Sequence, residues 1–222
     1  MKLDELLTHR RDAFTPLFNP PLTAGNTVTM DLSSSSREFS GLDEAQLDQA
    51  ILRKLADAGA LAGVGGYLEN RLLYRDTDLF QGDAERCIHI GVDVFMTAGT
   101  ELHAPLDGEV HSFADRQLGG DYGPVIILRH ELGELVFHTL YGHLAQTSLD
   151  GLQDGMAIPA GTVFAQIGAR PLNGNWPPHL HFQLVADMQG IRGDYPGVVR
   201  ADELDYYRRN CPDPTSLLLT TD

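Results

Sequence analysis

The sequence predicts a mainly β protein with a partly helical N-terminal extension. From about Cys87 onward, short runs rich in β-branched and aromatic residues alternate with Gly and Asp, whereas a helical apolar period is confined to the residues before them. The phrase Ala98-Gly99-Thr100 recurs as Ala160-Gly161-Thr162, each time ahead of a strand-like run, which fits a duplicated β motif. Short strands joined by Gly-rich turns argue for an antiparallel sandwich or barrel.

Residues 1–80 read as an extension that is irregular and then helical. Pro16, Pro20 and Pro21 break any early helix, and Ser33 to Ser36 reads as a loop. Gly41 to Ala58 is expected to be helical because Leu42, Ala45, Leu47, Ile51, Leu52 and Leu55 recur at helical spacing. Ser40 is the expected N-cap and Gly59 the expected stop. A second helical or mixed stretch is expected over Gly66 to Tyr74.

Residues 81–190 read as the β-domain. The expected strands are Ile88 to Phe95, Glu109 to Phe113 after the turn Asp107-Gly108, Val125 to Arg129, Leu135 to Tyr141, Val163 to Ile167, and Leu180 to Val185. The third and fourth flank Glu131-Leu132-Gly133-Glu134 and read as a hairpin. Residues 191–222, with Pro196, Pro212 and Pro214 and no periodicity, read as a wrapping tail.

Composition narrows the partners. Sixteen basic and 31 acidic side chains give a formal charge of −15. A surface this acidic repels phosphate backbones and anionic lipid, so neither nucleic acid nor membrane is expected as a partner. Met1 to Pro21 has no apolar core of a secretory signal, and Cys87 and Cys211 alone do not make a disulfide scaffold. The expected location is the cytoplasm.

Three blocks carry the chemistry: His89-Ile90-Gly91-Val92-Asp93, Leu140-Tyr141-Gly142-His143-Leu144, and Pro178-His179-Leu180-His181-Phe182. Polar groups at even offsets share one face of a strand, so His89 should point with Asp93, and His179 with His181. Imidazole nitrogen and carboxylate oxygen are zinc donors, and a catalytic zinc keeps one position open for water. Together the blocks read as one zinc site, with one Zn²⁺ per chain.

In this order the blocks resemble the lysostaphin-type, or LytM-like, zinc metalloendopeptidases. The resemblance extends through Ala98-Gly99-Thr100, Ala104-Pro105, Asp107 to Val110 and Gly120-Asp121-Tyr122-Gly123, and covers roughly Cys87 to Val185. It implies a barrel-sandwich hybrid core, the duplicated hybrid motif. It also implies that His89, Asp93 and His181 are the metal ligands and that His143 and His179 are the catalytic pair, either of them serving as base. The implied activity is hydrolysis of a peptide or amide bond by a zinc-activated water. Tyr141, two residues before His143, and Trp176, the only tryptophan, are candidate substrate contacts.

The chain departs from the family pattern at the run Ala169 to Pro178 before His179, at Gln183 where Glu is usual, and at Pro124 where Asn is frequent. With the acidic charge and the absence of a recognisable leader, these differences turn the expected substrate from wall polymer towards a peptide or small amide. Gly66 to Arg71, Tyr122-Gly123-Pro124, Asn175 to Pro178 and Gly193 to Gly197 resemble a cytoplasmic branch in which a similar module sits between kinase-like and aminotransferase domains.

Two other readings compete. One is a catalytically inert zinc-binding regulatory module on the same fold. The other is a phosphotransferase-carrier-like protein with paired histidines, against which Asp93 argues because a phosphorylated histidine should avoid a neighbouring carboxylate. His130-Glu131-Leu132-Gly133-Glu134 mimics a helical zinc motif but lacks the final histidine and reads as a turn. An N-terminal polar side chain such as Asn26 or Asn70 in the open metal position would mark latency.

Overall fold

The computed structural model describes residues 3, 5, 9–39, 41–71 and 86–220. In chain order the elements are β1 (Thr27–Met30), α1 (Glu44–Ala58), β2 (Ala62–Gly65), β3 (Glu69–Asn70), β4 (Ile88–His89), β5 (Val92–Phe95), β6 (Glu101–His103), β7 (Gly108–Arg116), β8 (Gly123–Leu132), β9 (Leu135–Gly142), β10 (Ala157–Ile158), β11 (Val163–Gln166), β12 (His179–Val185), β13 (Val198–Val199), α2 (Leu204–Asn210) and α3 (Thr215–Leu218). No helix among the described residues is long and apolar enough to cross a membrane.

An eight-stranded sheet in the order β1-β2-β5-β12-β9-β8-β7-β10 forms the frame. Its two faces bury different residues, as the two-residue period of a strand requires. Val92, Val94, Ile126, Leu128, Tyr141, Leu180, Phe182 and Leu184 enter one core. Val125, Ile127, Leu140 and Val185 enter a second core, closed by Tyr195 and Val199 from the tail. Asp93, His179, His181 and Gln183 share the parity of the second face, so the tail and the candidate site lie on the same side of the sheet.

The two Ala-Gly-Thr phrases occupy equivalent places. They precede β6 and β11, which pair antiparallel with each other. Gly99 N donates to Ile167 O and Gly161 N to Ala104 O, while Ile167 N donates to Thr100 O and Ala104 N to Thr162 O. The reciprocal bonds are what a duplicated motif produces. Gly99 and Gly161 have φ of 85° and 75°, which only glycine adopts without strain.

Several expectations need correction. The sheet is mixed: β1 runs parallel to β2, which in turn runs antiparallel to β5. The N-terminal extension thus adds two strands that carry little alternating signal, since β2 is Ala62-Gly63-Val64-Gly65. A Cβ at Gly63 would sit 2.1 Å from Met30 Cε, so close packing of β1 on β2 selects glycine there. The helix starts at Glu44, not Gly41. Asp43 caps it by accepting from Gln46 N at 2.8 Å, and Gln46 Oε1 accepts from Asp43 N at 3.0 Å. Ser40 lies outside the described residues, and Gly59 ends the helix in a left-handed conformation. Glu69–Asn70 is a strand, while residues 72–74 of the expected helical or mixed stretch lie outside the described residues. The expected strand Ile88 to Phe95 is broken at Ile90-Gly91, and β4 pairs with β3 and β13 in a separate sheet. The tail contains two short helices, clipped by Pro212 and Pro214 below a readable period.

Candidate metal centre and active site

Asp93 and His181 are direct cross-strand partners on β5 and β12. The break at Ile90-Gly91 then lets His89, on β4, turn back over them. Three donor atoms converge: His89 Nε2 lies 2.8 Å from His181 Nδ1 and 3.2 Å from Asp93 Oδ1, and His181 Nδ1 lies 3.1 Å from the same oxygen. All three residues are buried. Among the described residues they form the group of His, Cys, Asp or Glu side chains able to hold a metal ion, and Cys87 is not part of it.

The donors fit zinc. Bonds of about 2.0–2.2 Å in a tetrahedron place neighbouring donors roughly 3.3 Å apart, close to the spacings here, and three protein ligands leave the fourth position open. Hydrogen bonding supports the same reading. His181 Nε2 donates to Gln183 Oε1 at 3.0 Å, and Gln183 Nε2 donates onward to Pro196 O at 3.1 Å. The proton of His181 therefore sits on Nε2, and the Nδ1 lone pair faces the group. Burial, with the nearby Arg71 charge, pushes the His89 pKa down to about 3, so its ring is neutral. Burial alone would raise the Asp93 pKa, but the Arg71 guanidinium beside it holds the carboxyl well below its ordinary value. A neutral His89 ring and an ionised Asp93 are protonation states that a metal requires.

His143 and His179 stand beside this group with ring centroids 4.2 Å apart. His143 follows the end of β9 with φ of 62°. Its Nδ1 donates to Asn173 O at 2.9 Å, and Asn173 is itself fixed by donating from Nδ2 to Trp176 O at 2.9 Å. His179 Nδ1 donates to Pro177 O at 2.7 Å, and its ring stacks on Phe95, its cross-strand partner. A carbonyl can only accept, so both rings carry their proton on Nδ1 and leave Nε2 as a base. His179 Nε2 is 3.8 Å from Asp93 Oδ1 and so faces the metal group. Burial lowers both pKa values, with the adjacent histidines adding to the shift at His143.

The expected site residues thus separate. His89, Asp93, His181, His143 and His179 come together, and Trp176 lines the same cleft with its ring 6.5 Å from that of His143. Tyr141 does not. It is fully buried on the opposite face, packed against Phe164 and Phe182. The parity that would align it with His143 fails because His143 lies beyond the strand end in a left-handed conformation. Asn26 is tied into a local turn with Thr23 and Pro21, and Asn70 is exposed on β3, so neither enters the metal group.

The sequence profile of peptidase family M23 matches residues 87–192. This region belongs to peptidase family M23. Among solved structures, a zinc containing peptidase from Vibrio cholerae is 25% identical, with 44% of this chain and 27% of that chain covered and a TM-score of 0.34. LytU is 23% identical over 71% of this chain and 92% of its own, with a TM-score of 0.41. The catalytic domain of the antimicrobial peptidase lysostaphin from Staphylococcus simulans is 23% identical over 58% and 86%, with a TM-score of 0.39. The chain spans about a quarter of the length of the Vibrio protein. No curated protein matches it.

The M23 region contains all five convergent residues but not the whole cleft. A cavity of about 370 Å³ opens beside the metal group. Leu32, Leu47 and Ile51 line it from before the M23 region, and Asp194 to Val198 line it from after. Arg116 crosses this wall, paired with Asp121 at 2.9 Å and Asp194 at 3.2 Å. Two further participants carry little signal in the sequence. One is the Gln183 amide, noted only as a departure from Glu. The other is the pair Glu69 and Arg71, whose sole signal was their place in the Gly66 to Arg71 segment.

Proposed function

We propose that this protein is a zinc-dependent peptidase or amidase acting on a peptide or small amide. The observation that carries the proposal is the convergence of His89 Nε2, Asp93 Oδ1 and His181 Nδ1 beside two histidines whose Nδ1 protons are pinned to backbone carbonyls. When bound, zinc lowers the pKa of its water and polarises a carbonyl. His143 and His179 start neutral with bare Nε2 atoms, the state that accepts a proton from attacking water. The same Nε2 then returns that proton to the leaving nitrogen. The carbonyls of Asn173 and Pro177 stabilise the transient imidazolium, because each keeps accepting from Nδ1.

The cavity supports a compact substrate. Its volume is at the small end of small-molecule sites, and its flanks come from the extension and the tail. The test is zinc reconstitution of the full chain followed by mass-spectrometric assay against graded peptides and small amides. His89→Ala and His181→Ala should lose zinc. His143→Ala and His179→Ala should keep zinc and lose roughly 10²-fold or more in turnover. A wild-type chain that takes up no zinc at neutral pH would refute the proposal, and a zinc-loaded chain inert on every substrate would instead identify a regulatory module.

A further inference from the structure

Arg71 reaches the metal group from outside the M23 region. It lies directly after β3 and is 2% exposed. Its Nη1 pairs with Asp93 Oδ2, while its Nε donates to Glu69 Oε2 at 2.7 Å. The oxygens of Asp93 are therefore divided: Oδ1 faces His89 and His181, and Oδ2 faces the guanidinium. Glu69 is itself anchored, since its Oε1 accepts from Leu32 N at 3.0 Å. The backbone holds the pair in register with the ligands: Glu69 is the cross-strand partner of His89, and Arg71 N donates to Cys87 O at 2.8 Å. Gly65 clears the space, because a Cβ there would lie 2.9 Å from Arg71 Nη2.

We propose that Glu69 and Arg71 are positioning residues that orient Asp93 as a metal ligand, so that the M23 region alone makes an incomplete metal site. The terminal torsion of Asp is broad and nearly two-fold, so an unrestrained carboxylate can present either oxygen. A fixed contact to Oδ2 removes that freedom and leaves Oδ1 for the metal. Only a planar fork does this while also holding Glu69, because Nε and Nη1 point to different partners at once; an ammonium is a single point charge. Partners of this kind typically contribute 10- to 100-fold in metal affinity.

The inference rests on the zinc reading, and the experiment separates the two. Zinc affinity of the full chain is measured by competition with a chromophoric chelator, alongside thermal melts of the metal-free protein. Arg71→Met should weaken zinc binding by about 10- to 100-fold. Arg71→Lys should recover only part of the loss, which a role limited to charge balance would recover fully. Gly65→Ala removes no charge yet displaces the guanidinium, so it should weaken zinc in the same direction and serves if Arg71→Met fails to fold. Folded Arg71→Met or Gly65→Ala with wild-type zinc affinity would overturn the clamp while leaving the zinc reading intact. Failure of the wild-type chain to bind zinc would overturn the zinc reading itself.

Discussion

Gln183 shows how one amide can settle both a ligand's tautomer and a departure from family pattern. Its oxygen accepts from His181 Nε2, while its nitrogen donates to Pro196 O and to Cys211 Sγ. A carboxylate could do the first task but not the second, and here it would be a buried charge facing a carbonyl. Gln183→Glu should therefore keep zinc affinity within a few-fold but lower stability by about 1–3 kcal/mol, measured as urea midpoints of the metal-free protein. Loss of zinc affinity with unchanged stability would contradict this account. The candidate metal donors were legible from short spacing and the ordered blocks; parity held for His179 and His181 on β12, whereas His89 and Asp93 fall on different strands. Arg71 was not legible, since its partner is 22 positions away and no local pattern announces a buried cation just after a two-residue strand. Tyr141 misled for a local reason, the left-handed turn at His143.

At the scale of elements, the site depends on an interruption. Ile88 to Phe95 reads as one strand, but folding divides it into β4 and β5 in different sheets, and His89 and Asp93 meet across the break. Gly91 makes the break possible. A Cβ at Gly91 would sit 2.6 Å from His181 Cε1, 2.7 Å from Nε2 and 2.9 Å from the carbonyl of Phe182. The backbone contact cannot yield, and the ring can yield only by leaving the metal group. Gly91→Ala should cost about 1–3 kcal/mol in stability and weaken zinc binding together with it. Melts of the variant with and without zinc would check both, and a wild-type zinc-induced shift would show that the ring had room to move. The sequence signalled Gly91 only as a small residue within a strand. Its necessity comes from β12, almost a hundred positions later, and from the tail that ties Ile90 N to Gly197 O at 2.9 Å.

Across the whole molecule, burial of histidine links folding to pH. Burial depresses His89 to about 3 and His138 to about 4, with Arg71 and His111 respectively adding to the effect. Burial also lowers His111, His130, His143 and His179. A depressed pKa means that the folded state binds fewer protons than the unfolded chain, whose histidines titrate near 6.5. The stability from keeping these rings neutral is therefore complete above about pH 6.5 and is lost as pH falls towards the folded values. The urea midpoint of the metal-free protein should decline continuously from about pH 7 to about pH 4.5. Zinc should add stability at neutral pH because it binds the native state, and that increment should shrink on acidification as protons compete with the metal for its ligands. His138→Gln, remote from the metal group, should flatten part of the metal-free slope and leave the zinc increment unchanged. The two contributions separate because they belong to different parts of the molecule: His138 packs against His111, away from the cleft, whereas the ligands share one buried cluster beneath the tail. A midpoint constant over this range in the metal-free protein would show that the buried rings do not control acid stability.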